Sequence, residues 1–154
     1  MGRLSKAPGL AYEQASVTPN STLPVQEIGY DYRVEFDLDG AKEAMGTELF
    51  RSKDAVFYLS DPIRGMLGYA RDGYLNTFTY NVQPGQKMKI AIEGDNKATR
   101  LFINGKQVEE LNIQERWMDK EGKSRMRNVR TLVFPLEKAG NFKSKITNLK
   151  VFQK

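Results

Sequence analysis

The chain has 154 residues, is 40% hydrophobic and 28% charged, carries a net charge of +5, and contains neither cysteine nor histidine. Its length suits one core, since a chain of this size buries roughly 68–70% of its unfolded surface. The missing residue types exclude disulfides, thiolate metal sites, thiol nucleophiles and any mechanism that needs imidazole, so an enzyme would have to work with carboxylates, Lys or Tyr.

Residues 1–9 read as a basic leader or interdomain linker that stops at Pro8-Gly9, without the apolar core of a signal peptide. No later run approaches the ~18 apolar residues of a membrane span. Leu10–Val17 can form a first strand, and residues 18–25 are a loop by their Pro, Asn and Ser content. Asn20-Ser21-Thr22 matches a glycosylation sequon, which has meaning only in a eukaryotic secretory protein. Ile28–Leu38 is a clear strand: Tyr30, Tyr32, Val34, Phe36 and Leu38 alternate with Asp31, Arg33, Glu35 and Asp37, one face for the core and one for water. Ala41–Met45 allows one helical turn at most. Glu48–Ser52 and Ala55–Ser60 are short strands. Met66–Arg71 and Tyr74–Asn81 flank Asp72-Gly73, a two-residue hairpin signal, and Lys87–Glu93 turns Met88, Ile90 and Ile92 inward.

Ala98–Leu111 carries the strongest local signal, because Asn104 and Gly105 tolerate the two positive φ angles of a type I′ turn. Counting outward sets Ile103 opposite Lys106, Phe102 opposite Gln107, Leu101 opposite Val108 and Arg100 opposite Glu109. Leu101, Ile103 and Val108 then face the core, and Arg100 and Phe102 face outward, free for a ligand. Beyond Leu111, residues 112–128 read as a polar, charged loop. Val129–Phe134 is strand-like, and Lys145–Phe152 closes the chain with Ile146 and Leu149 or Val151 alternating with polar residues. About ten or eleven short strands with turn residues between them predict an all-β fold, a two-sheet antiparallel β-sandwich of the jelly-roll kind.

Tyr74, Phe78 and Tyr80 share one face of a strand, with Tyr69 on its neighbour. They are read first as core and second as a platform on which sugar rings stack. Trp117, among Arg116, Lys120 and Arg125, either pins its loop or meets a partner. The basic residues of Arg116–Arg130 are a solvated surface or, alternatively, a polyanion-binding footprint; nucleic acid is not the expected partner. No cofactor is expected. Ca²⁺ is the one ion considered, through turn residues Asp61, Asp72, Asp95 and Asn96, which form no dense ligand loop.

Several stretches carry a family resemblance: YRVEFDL, TELFRSKDAVFYLS, GMLGYARDGYLNTFTYNV, GQKMKIAIEGDNKATRLFINGKQVEEL and the closing SKITNLKVFQK. Together they resemble the concanavalin A-like, laminin-G-like domain over nearly all of residues 10–154. With its KAPGLAYEQASVTPNSTLP opening, and a chain that stops after its final strand, the sequence is more narrowly similar to the C-terminal accessory domain of bacterial family 20 glycoside hydrolases, the β-N-acetylhexosaminidases. The resemblance implies a non-catalytic domain that is secreted, periplasmic or at the cell surface. Its partners would be a catalytic domain of the same polypeptide and GlcNAc-containing glycans. Some concanavalin A-like glucanases carry a Glu-x-Asp-x-x-Glu strand; Glu35 and Asp37 match its start, but Gly40 stands where the second Glu belongs, which leaves a stand-alone glycan hydrolase as the alternative.

Overall fold

The alternation read in Ile28–Leu38 becomes the centre of a seven-stranded antiparallel sheet. The computed structural model describes residues 2–4, 9–25, 28–71, 74–95, 97–112, 114–128 and 134–154; for 2–4, 74, 114–117 and 126–128 it describes the backbone only. The strands in chain order are β1 (Gly2–Leu4), β2 (Leu10–Val17), β3 (Tyr32–Asp39), β4 (Thr47–Arg51), β5 (Ala55–Ser60), β6 (Gly68–Arg71), β7 (Tyr74–Thr77), β8 (Lys87–Gly94), β9 (Thr99–Ile103), β10 (Lys106–Leu111), β11 (Gln114–Met118), β12 (Ser124–Asn128), β13 (Lys138–Ala139) and β14 (Lys145–Gln153). One sheet has the order β1-β2-β14-β3-β8-β9-β10, a second β13-β4-β5-β6-β7, and β11 with β12 forms a separate ribbon. This is the expected β-sandwich. No helix among the described residues is long and apolar enough to cross a membrane.

Every second residue of β3 enters the core: Tyr32, Val34, Phe36 and Leu38 are buried, beside Ile92, Ile90 and Met88 of β8. The smaller sheet answers with Phe50, Phe57, Leu59 and Tyr69. Phe134 joins the layers, with its ring stacked on Phe57 at 5.1 Å and edge-on to Tyr32 at 5.5 Å. Such pairs add about 0.5–1.5 kcal/mol each beyond the area they bury.

Among the register shifts of the described strands, three bulges decide which side chains face the core. In β9–β10 the register shifts between Gln107 and Glu109, so Arg100 stands opposite Glu110 and Leu101 opposite Glu109. Val108, expected in the core, is therefore 49% exposed. In β4 the shift falls at Leu49, which turns inward and leaves Glu48 and Arg51 both facing out. In β14 it falls after Thr147, at Asn148 with φ 53°, and lets Ile146, Leu149 and Val151 all point inward. An extra residue in one strand changes which side chains face the core on either side of it.

Gly2–Leu4, within the stretch read as a leader or linker, pairs with Tyr12–Gln14. Ala41–Met45 contains no helix. Residues 114–128, expected as a loop, form a hairpin whose turn includes Gly122 at φ 78°. Of the strand expected over Val129–Phe134, residues 129–133 lie outside the described residues, and Phe134 makes a single bridge to Ile28.

Candidate functional site

The outer face of the seven-stranded sheet follows from its register. One row runs Phe152, Arg33, Glu93, Arg100, Glu110; the next runs Lys150, Glu35, Ala91, Phe102, Gln107. Charges of opposite sign alternate across neighbouring strands, and the side chains join. Arg33 donates through Nε to Glu35 at 3.0 Å and through Nη1 to Glu93 at 2.6 Å, while its guanidinium lies 5.4 Å from the centre of the Phe102 ring. Lys89 approaches Glu35 at 3.6 Å and Lys154 approaches Glu93 at 3.3 Å. Arg100 links Asp95 at 2.8 Å to Glu110 at 2.9 Å. Glu35 is only 9% exposed and Ala91 only 2%, although both lie on an outer face. The long side chains around them roof this part of the sheet.

Beside the roofed part lies a depression of about 600 Å³. It is lined by Asp37, Asp39, Lys87, Lys89, Asn104, Lys145 and Thr147, and at its base by Leu38 and Met88, whose side chains turn away into the core. Register assembles it: Asp39 stands between Lys87 on β8 and Lys145 on β14, and Asp37 between Lys89 and Thr147. The Asn104-Gly105 turn, with φ 52° and 84°, closes one side as a type I′ geometry should. Asn104 is pinned to β8, its N–H donating to the Lys89 carbonyl and its Oδ1 accepting from the Lys89 N–H, both at 2.8 Å. Its Nδ2 remains available to the depression. Asp37 accepts from Asn148 Nδ2 at 2.7 Å. Among the described residues, Asp39, Lys87 and Lys145 form no salt bridge. The depression thus brings together hydrogen-bond acceptors and donors, Asp39, Lys87 and Lys145 among them without a salt bridge to any described residue.

Of the six side chains singled out in the sequence, the four that the structure describes, Tyr69, Tyr80, Arg100 and Phe102, do not form one platform. Arg100 and Phe102 lie together on the outer face, as expected. Tyr69 is a core residue, packed 5.3 Å from Phe57 and sharing a buried hydroxyl hydrogen bond with Thr99. Burial pushes its phenol up to about 12, against the weaker opposing effect of the hydrogen bond to Thr99. Tyr80 leans on the core and donates to Met88 Sδ at 3.1 Å, so its ring is not an open stacking surface. Tyr74 is opposite Arg71 in β7, and Trp117 is opposite Arg125 in β11; both side chains lie outside the described residues. Phe152, beside Arg33 on the outer face, was missed because the register of the closing strand depends on the bulge at Asn148, which leaves no mark in the sequence.

Three of the carboxylates read as possible catalysts or Ca²⁺ ligands, Glu35, Asp61 and Asp95, are otherwise engaged. Glu35 is held by Arg33 and Lys89. A side chain at position 40 has no room, because a Cβ on Gly40 would lie 2.5 Å from the Gln83 carbonyl oxygen. Asp61 is buried and accepts from the N–H groups of Ile63, Arg64 and Met66 at 2.7–2.8 Å. Burial opposes its ionisation, but those bonds outweigh it and hold the pKa below the ordinary value. Asp95 accepts from Arg100 and from the N–H groups of Lys97 and Ala98. Asp72 and Asn96 lie outside the described residues. Among the described residues no three acidic side chains gather as a metal site.

No protein-family model matches the sequence, and neither does any curated protein sequence. Structural likeness is found instead. The galectin LEC-6 of Caenorhabditis elegans superposes with a TM-score of 0.51 at 12% identity, covering 90% of this chain and 94% of that one. Domain 4 of AbnA, an extracellular arabinanase from Geobacillus stearothermophilus solved with arabinotriose, gives 0.48 at 14% identity over 99% of this chain and 74% of that one. The first likeness bears on the two-sheet β-sandwich fold, and at this identity on the fold alone.

Proposed function

We propose that this is a carbohydrate-binding domain, and that the depression rimmed by Asp37, Asp39, Lys87, Lys89, Asn104 and Lys145 is its saccharide site. One observation carries the reading: strand pairing sets Asp39 between Lys87 and Lys145, three charged groups that form no salt bridge among the described residues, at a depression on the face of the sheet. A sugar presents vicinal hydroxyls, which donate to a carboxylate such as Asp39 and accept from ammonium or amide groups such as Lys145 and Asn104. Strand-borne side chains hold these groups in place before the ligand arrives, which lowers the ordering cost of binding.

The narrower reading, an accessory domain of a β-N-acetylhexosaminidase-type hydrolase, rests on the sequence resemblance. In that setting the domain packs on a catalytic domain or holds a GlcNAc-containing glycan near it, raising the effective concentration. Calorimetric titration with neutral oligosaccharides, GlcNAc-containing ones included, tests the domain's own part. Binding that Asp39→Ala weakens at least tenfold supports the site. No heat at millimolar sugar leaves only a packing role.

A further inference from the structure

A second polar cleft, of about 500 Å³, opens at the far edge of the smaller sheet, beside Glu48, Arg51, Lys138, Asn20 and Asn141. Two backbone features build it. The bulge at Leu49 turns Glu48 and Arg51, three residues apart, to the same outer face, where an unbroken strand would set them on opposite faces. Gly140 lets the loop before β14 press against β4, since a Cβ there would lie 1.9 Å from the Glu48 carbonyl oxygen.

The groups thus assembled are polarised. Arg51 is gripped on one edge by Glu48, Nε to Oε1 at 2.5 Å and Nη2 to Oε2 at 3.1 Å. This fixes the guanidinium and leaves its Nη1 edge open. Lys138 stands opposite Arg51 across the β4–β13 pair and forms no salt bridge among the described residues. Against one carboxylate, two cations leave the cleft with one positive charge. Asn20 Nδ2 donates to Asn141 Oδ1 at 3.1 Å, which leaves the Asn141 NH2 group as donor and the Asn20 carbonyl oxygen as acceptor.

We propose that this cleft is a second saccharide site, selective for sugars that carry a carboxylate. The carboxylate sits against the open edge of Arg51 and the Lys138 ammonium, a charge-assisted arrangement, and the ring hydroxyls meet the Asn20–Asn141 amides. The inference rests on the reading of the domain as a carbohydrate binder but uses none of the residues of the first site.

The test is a two-probe titration of the whole chain, followed by amide chemical shifts and calorimetry, with trigalacturonate as the acidic probe and galactotriose as the neutral one. Trigalacturonate should shift amides near Glu48–Arg51 and Lys138–Asn141. Its affinity should fall at least tenfold in Arg51→Gln and in Asn141→Ala, and fall with added salt. Lys145→Ala should leave it unchanged. Loss of acidic-sugar binding in Lys145→Ala, or indifference to both cleft variants, overturns the second site. Binding of trigalacturonate with no binding of galactotriose or of GlcNAc-containing oligosaccharides at millimolar concentration overturns the first site and leaves the second standing. A thermal melt of each variant separates lost binding from lost folding.

Discussion

The Arg33 guanidinium lies 5.4 Å from the centre of the Phe102 ring, two strands away on the same outer face. Between them stands β8, whose Ala91 is sealed from water although it points outward. A cation over a ring, with two carboxylates on its other edges, gives the centre of the sheet a fixed polar roof.

Phe102→Ala should therefore loosen Arg33 and wet Ala91. The ring is only partly buried, so the expected loss is about 1 kcal/mol of unfolding free energy. Urea denaturation measures it, and Phe102→Tyr should restore most of it. A loss as large as that of a core Phe→Ala change, about 3–5 kcal/mol, would mean the ring is packed far more deeply than its place on the sheet allows.

Acid should weaken the turn that enters β9. The side-chain bond from Arg100, with help from the N–H groups of Lys97 and Ala98, outweighs burial and lowers Asp95 from the ordinary 3.8 to about 2. A depressed carboxyl contributes stability above its unfolded pKa and loses it as pH falls through the folded one. Stability should decline between pH 3.8 and about 2, and Asp95→Asn should flatten that part of the curve. An identical slope in the variant would assign the acid sensitivity to other carboxylates.

Alkali should act on the opposite sign. Burial raises Tyr69 from 10.0 to about 12 and drives Tyr32 well above its usual value. Both phenols favour the folded state while neutral, so their contribution is present below pH 10 and fades as pH rises toward 12. The two tyrosines should still differ on substitution. Tyr69→Phe leaves the Thr99 hydroxyl without its partner and should cost about 1–3 kcal/mol. The buried Tyr32 hydroxyl has no hydrogen bond of good geometry, so Tyr32→Phe should be neutral or stabilising. Equal losses in both variants would contradict this ordering.

The hairpin offers a sharp internal contrast. Val108→Lys, at the exposed bulge, should change stability by no more than about 0.5 kcal/mol. Leu101→Ala, expected at the same level across the ladder, should cost about 2–5 kcal/mol, because Leu101 is fully buried. Denaturation midpoints of the two variants check it, and a large penalty at Val108 would argue for the unbulged register.

The same hairpin shows how far sequence reading reaches. Asn104-Gly105 announced the turn, and period-two alternation identified β3 and β8, because turn chemistry and burial are local properties of the chain. Leu10–Val17 and Ala55–Ser60 match their strands end to end. The bulges at Leu49, Val108 and Asn148 were not legible, since an inserted residue leaves composition unchanged while it reverses the facing of every later residue in the strand. The ribbon around Trp117 was hidden by its charge, because Gln114–Met118 lacks the β-branched residues that advertise a strand. The candidate site was hidden most deeply. Asp39, Lys87 and Lys145 lie far apart in sequence and meet only through the pairing of β8 and β14 on either side of β3.

That meeting is the central claim, and amide chemical-shift mapping with a neutral oligosaccharide tests it most directly. Saturable shifts should cluster at Asp37–Asp39, Lys87–Lys89, Asn104 and Lys145–Thr147, and should vanish in Asp39→Ala with the fold intact. Shifts confined to other surfaces, or none at millimolar sugar, would contradict the account.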